Sequence, residues 1–204
     1  MITIFKNKDQ VLIVPVNYVF NIDNGFTGTS LPTKQSYTLY DSVGTYKPVY
    51  EIEKNICLIR ISVMLIIKNE YDEYLVKELH DKQKRPYLEL GMNSYVKSSS
   101  GNYQALYNQL NEMTYYNFKD DLNFNYIGTI RDLANDSVKS ILGSVYYVET
   151  KKDNFTPKTK HDLYEYKWYK KQDLIDRYNK ATSWSRIIID KIVDGSINEF
   201  IERS

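Results

Sequence analysis

Residues Ile56 to Lys68 read Ile-Cys-Leu-Ile-Arg-Ile-Ser-Val-Met-Leu-Ile-Ile-Lys, an almost unbroken aliphatic and β-branched run. It has neither the alternation of a half-exposed strand nor the three-to-four spacing of a surface helix, so it reads as a strand covered on both faces. Such a strand needs one layer of structure above it and another below. The apolar part, Ile56 to Ile67, is about twelve residues long with Arg60 in its middle, too short to cross a bilayer. Asn69-Glu-Tyr-Asp72 then supplies a turn, and Glu73 to Leu79 a second strand that forms a hairpin with the first. Cys57, at the head of the run, reads as a small buried apolar residue.

The remaining pattern fills in the layers. Val11 to Val16 predicts a short strand, with Pro15 pushing it toward a sheet edge. Between residues 21 and 48, Gly25, Gly28, Pro32, Gly44 and Pro48 among polar residues predict loops and at most one short strand. Lys82 to Pro86 reads as a polar loop, and Tyr87 to Leu90 as a strand ending at Gly91. After a Ser-rich loop, Lys97 to Asn102, the spacing of Tyr103, Leu106, Tyr107, Leu110 and Met113 predicts an amphipathic helix from Tyr103 to about Tyr116. Strands follow at 124–130, 143–150 and 163–169. A helix starts at Asp173 and another spans Ser183 to Val193, with Gly195 as its stop and Ser196 to Glu199 as one further turn. Strands, a helix, more strands and closing helices define a mixed α/β (α+β) fold. We read residues 1–204 as a single domain, with 1–50 an N-terminal strand and loop extension and 51–204 the core with its C-terminal helices.

Charge and side-chain chemistry exclude several function classes. Lys plus Arg number 27 and Asp plus Glu 26 in 204 residues, a formal charge of +1, so bulk electrostatics offers no case for nucleic acid or an anionic membrane as partner. With Cys57 the single cysteine, an intrachain disulfide and a Cys-based zinc site are ruled out. His80 and His161 stand far apart and read as surface residues. The first residues lack the basic start and apolar core of a secretion signal, so the expected location is the cytoplasm. Twenty tyrosines stand out, and an aromatic surface of that kind suits a protein-interaction scaffold.

Several segments carry a resemblance. Val11 to Phe26 is similar to the opening of a subgroup of bacterial and phage proteins, and Leu90-Gly-Met-Asn-Ser-Tyr-Val96 to that subgroup's Ile-Gly-x-Gly-Gly-His-Val segment. Tyr126-Ile-Gly128 and Leu142 to Val148 resemble its two central strands. Glu165 to Trp168, Asp173-Leu174 and Ser183 to Ile187 resemble its closing segment. The subgroup belongs to the Nudix hydrolases, whose signature is G-x5-E-x7-R-E-U-x-E-E-x-G-U, with U a bulky aliphatic residue. The resemblance covers nearly the whole chain. It implies an α/β/α sandwich with a mixed central sheet, homodimers, and glutamates that hold Mg²⁺ against a nucleotide or nucleoside-diphosphate derivative.

Laid on this chain, the signature runs from Ser94 to Tyr116. The opening glycine falls on Ser94, the loop glutamate on Ser100, the Arg-Glu pair on Asn108-Gln109, the aliphatic position on Leu110 and the adjacent glutamates on Glu112-Met113. Only Leu110 and Glu112 match. The resemblance therefore implies Glu112 as the remaining metal ligand, with Ser94, Asn108, Gln109, Glu89 and Arg60 as ligand-binding residues. Amide oxygens coordinate hard cations less strongly than carboxylates, so the sequence implies a catalytically impaired, nucleotide-binding or regulatory protein. The alternative is an active Mg²⁺-dependent hydrolase that recruits acids such as Glu89, Asp120-Asp121, Asp132 or Asp136. Arg60, inside an apolar strand, needs an anionic partner; Glu89 is the expected one, a ligand phosphate the alternative. Trp184 reads as an anchor for a helix on the sheet, and the Ser98 to Gly101 loop as a phosphate cradle.

Overall fold

The computed structural model describes residues 10–19, 21–28, 31–52, 55, 57–80, 86–97, 101–115, 123–156 and 164–203. The first part of the chain forms β1 (Gln10–Pro15), β2 (Gly25–Gly28), α1 (Thr33–Ser36), β3 (Thr45–Pro48) and α2 (Val49–Ile52). The central part forms β4 (Leu58–Asn69), β5 (Glu73–His80), β6 (Pro86–Leu90), β7 (Met92–Tyr95) and α3 (Gly101–Met113). Then come β8 (Asn125–Arg131), β9 (Ile141–Thr150), β10 (Tyr164–Lys170), α4 (Lys171–Asp176), α5 (Ser183–Val193) and α6 (Ser196–Arg203).

All ten strands described belong to one mixed sheet, with β10-β5-β4-β9-β8-β2 as its main path. The long aliphatic run is β4, and it has strand partners along both edges. Parallel β9 accompanies it from Arg60 to Asn69 on one edge. The other edge takes three partners in turn: β5 at the hairpin end, β7 against Ser62 to Leu65, and β1 against Leu58 to Arg60. Ile61, Val63, Leu65 and Ile67 point into one apolar layer, and Met64 and Ile66 into the other. The first layer is closed by Ala105, Leu106 and Leu110 of α3 and by the 31–46 segment. The second is closed by Leu174, Trp184, Ile188, Ile189, Ile192 and Ile197 of α4 to α6. Each such side chain, taken fully out of water, contributes about 1.5–3 kcal/mol.

The β4–β5 hairpin is a fork. Its strands pair only at Lys68 and Tyr74, beside the turn, and then diverge. The chain from Pro86 to Tyr95 enters the gap, pairing first with β5 as β6 and then with β4 as β7. Gly91 is the crossing point. Its φ is +64°, its N–H donates to Leu75 O at 2.8 Å, and a Cβ there would lie 2.0 Å from Leu65 O. Glycine is required by conformation and by space together.

Several expectations are corrected. β1 is not an edge strand: it lies between β3 and β4, and Pro15 is tolerated because it is the last residue of the strand. The 21–48 region holds two strands and a helical turn, where loops and at most one strand were expected. The strand at 87–90 does not end the pairing at Gly91, since β7 resumes it one residue later. Cys57 is exposed, because β4 begins only at Leu58. Trp184 is the anchor expected, buried against Gly143, where an added Cβ would come within 2.8 Å of its ring.

Replacing Gly91 with alanine should cost about 3 kcal/mol or more of stability, through the left-handed backbone and the clash with Leu65 O. Urea unfolding of the purified variant measures this; a loss below about 0.5 kcal/mol would show that the fork does not need glycine at its crossing.

Candidate functional site

Helix α3 lies on β4 and β7 and buries the stripe Asn102, Ala105, Leu106, Gln109 and Leu110. The signature positions therefore divide by helical geometry. Leu110 is wholly buried and Gln109 is 5% exposed on the sheet side. Asn108 points to solvent, where its Oδ1 accepts a hydrogen bond from Gln104 Nε2 at 2.7 Å. Glu112, three residues after Gln109, holds a place at the margin of the buried stripe; its side chain lies outside the described residues. So do Ser98 to Ser100, Asp120-Asp121 and His161.

Ser94 lies on the α3 side of β7, between Met92 and Val96 of the same apolar layer. Its Oγ donates to Tyr95 O at 3.3 Å, and its carbonyl accepts from Ser62 Oγ at 2.8 Å. Glu89 on β6 shares that side of the sheet. It is 5% exposed and pairs with Lys77 of β5, its register partner, at 3.4 Å. The Lys77 ammonium also lies 4.7 Å from the centre of the Tyr164 ring. Tyr166 and Trp168 of β10 pack on the same layer. Burial, Tyr164 and the nearby charge of Glu89 raise the Tyr166 phenol well above the ordinary tyrosine range.

Arg60 does not pair with Glu89. Alternation along β4 turns it to the opposite face, where its guanidinium donates to Ser140 Oγ at 3.1 Å and lies 5.6 Å from the Tyr95 ring. The structure thus brings Glu89, Ser94, Gln109 and the Glu112 position to one face and leaves Arg60 on the other. Asp132 is buried and accepts from the Ala134 N–H, while Asp136 pairs with Lys139.

The start of α3 carries a polar network that sequence reasoning missed. Asn102 is fully buried, with Nδ2 within 3.2 Å of Ser36 O, Ser144 Oγ and Tyr146 Oη, and its N–H donates to Tyr37 O at 3.0 Å. Tyr146 Oη reaches Ser36 Oγ at 3.0 Å. Burial raises the Tyr37 and Tyr40 phenols to about 12. These residues fasten the 31–46 segment over the helix start. Neither Asn102 nor Lys77 was signalled by spacing, because β5 buries Tyr74, Leu75 and Val76 in succession and hides the alternation.

A second charged group sits on the reverse face of β5. Glu78, 6% exposed, accepts hydrogen bonds from Lys167 Nζ at 2.7 Å, Arg177 at 3.0 Å and the Tyr169 hydroxyl. Burial alone would raise its pKa, but these donors and the charges of Lys167 and Arg177 outweigh it and hold the carboxyl below the ordinary glutamate value.

Among the described residues, the donor set on the α3 face does not make up a magnesium cage. Hard cations take oxygen ligands, and Mg²⁺ is usually held by one or two carboxylates together with water and substrate phosphates. Here Asn108 and Gln109 are amides, Glu89 is held by Lys77, and among the described residues no three His, Cys, Asp or Glu side chains are placed to hold a metal ion.

No family profile and no curated protein matches this sequence. Solved structures do match. Tm1382, described as a proposed Nudix hydrolase, superposes with a TM-score of 0.73 at 18% identity, over 91% of this chain and 98% of that one. DR0079 from Deinococcus radiodurans gives 0.53 at 14% identity, over 73% and 91% of the two chains. A bifunctional NMN adenylyltransferase/ADP ribose pyrophosphatase from Francisella tularensis gives 0.54 at 10% identity, over 81% of this chain and 47% of that one. The chain has the fold of the Nudix hydrolases: a mixed α/β fold with a mixed central sheet and C-terminal helices.

The Glu78 group makes stability pH-dependent. Its folded pKa is depressed, so its stabilisation is present above about pH 4.5 and is lost as pH falls through the folded value. Glu78→Gln should cost about 1–3 kcal/mol at pH 7 and flatten the acid limb of stability. Chemical unfolding from pH 7 down to pH 3 measures both; an acid limb unchanged in the variant would contradict the assignment.

Proposed function

We propose that this Nudix-fold protein, a single domain over residues 1–204, binds a nucleotide or nucleoside-diphosphate derivative and does not hydrolyse it by the metal-dependent route of the family. The observation that carries this reading is chemical. Where the family signature has a loop glutamate, an Arg-Glu pair and two adjacent glutamates, this chain has Ser100, Asn108-Gln109 and Glu112-Met113. Glu112 alone keeps a family carboxylate, and one carboxylate cannot both grip a pair of cations and supply a base. The arginine that pairs with those glutamates is Asn108 here, so the cation has gone together with its anionic partners.

Fold retention supports the binding half of the proposal. The chain superposes on a Nudix-type structure over 91% of its length, and a further similar structure is a bifunctional NMN adenylyltransferase/ADP ribose pyrophosphatase, of which 47% is covered. Ser94, Gln109 and Glu89, drawn to one face, are the residues proposed to line the ligand site. Magnesium, where it enters, enters with the ligand's own phosphates.

Differential scanning fluorimetry with ADP, ADP-ribose and nucleoside triphosphates, beside a phosphate-release assay with Mg²⁺, tests both halves. The expected result is a rise in melting temperature with at least one nucleotide and no turnover above the uncatalysed rate. Rapid Mg²⁺-dependent release of phosphate or of a nucleoside monophosphate would overturn the impairment.

A further inference from the structure

We infer that the ammonium of Lys77 serves as the protein's own counter-charge for the diphosphate of the bound ligand. This rests on the nucleotide-binding reading and deepens it. Lys77 lies on the α3 side of the sheet, two residues after Leu75 of the α3-facing layer and opposite Glu89 in register. Its side chain is 17% exposed, largely drawn out of water while keeping an opening to it.

The reasoning counts donors. An ammonium carries three N–H groups. One faces Glu89 Oε2 at 3.4 Å, longer than the ~2.7–2.9 Å of a strong charge-assisted bond. A second direction is taken by the Tyr164 ring, whose π face attracts the cation without accepting a conventional hydrogen bond. Among the described residues the third donor has no acceptor. A cation that is mostly buried, loosely held by its one carboxylate and one donor short presents positive charge to an anion at low local dielectric. Glu89 fixes the ammonium in position, and Tyr164, Tyr166 and Trp168 give that side of the sheet an aromatic wall.

Divalent cations grip a diphosphate through carboxylates that hold the metal; this face carries one signature carboxylate, Glu112, and a lysine held by Glu89. The ligand class is therefore a nucleoside diphosphate or a derivative that presents its diphosphate free of metal. Binding has to persist without divalent cations and weaken with salt.

Isothermal titration of the full chain with ADP and with inorganic pyrophosphate, in EDTA and again in Mg²⁺, tests this. The expected result is equal or tighter binding in EDTA, a loss of about tenfold or more in Lys77→Met, and partial recovery in Lys77→Arg. Because Lys77→Met strands the Glu89 charge, the double variant Lys77→Met/Glu89→Gln is measured with it; it should melt near the wild type and still fail to bind. Binding that appears only with Mg²⁺, or that survives in the double variant, overturns the role of Lys77 while leaving nucleotide binding intact. No binding of any nucleotide in either buffer overturns both.

Discussion

The fork between β4 and β5 is the constraint on which the rest of the structure depends. A hairpin whose strands stayed paired would leave no room for β6 and β7. By separating after Lys68 and Tyr74, it admits a strand that begins on one arm and ends on the other. Gly91 makes that transfer possible, since neither its φ nor the nearness of Leu65 O tolerates a side chain. The transfer delivers the chain to β4 just before α3, and so sets the helix against β4 and β7. The same transfer leaves Glu89, on β6, opposite Lys77 of β5. One glycine thus decides both where the helix lies and which charges face it.

Successive residues of β5 serve separate purposes. Glu78 faces the C-terminal helices, where Lys167, Arg177 and Tyr169 converge on its carboxylate and tie β10 and the segment after α4 to the sheet. Lys77 faces the α3 side, where a single carboxylate and an aromatic ring are its partners. The first carboxylate is saturated and serves stability. The second cluster, with a single carboxylate among its described partners, is the one proposed to serve binding. Charge satisfaction, read strand position by strand position, separates the two better than burial does, because Glu78 and Glu89 are equally hidden.

Much of the architecture was legible in the chain. The Ile56–Lys68 run announced a strand with structure on both faces, and β4 has it. The spacing of Leu106 and Leu110 announced α3, and Trp184 its anchoring role. What misled were residues whose role depends on partners distant in sequence. Pro15 suggested an edge, but strand ends tolerate proline wherever they lie. Arg60 and Glu89 looked like a pair because both sit in apolar strands; strand alternation, visible only once register is known, puts them on opposite faces. Asn102 gave no signal, since its partners Ser36, Ser144 and Tyr146 come from three other stretches of chain. The amides Asn108 and Gln109 were readable at once, because residue identity needs no knowledge of the fold.

The central claim is that this fold has kept its shape and lost its anionic cage. Anomalous diffraction from a crystal holding Mn²⁺ and a nucleoside diphosphate addresses it most directly. The account predicts no manganese peak coordinated by protein carboxylates along α3. One or two strong peaks bridged there by Glu112 and further acidic side chains would contradict it.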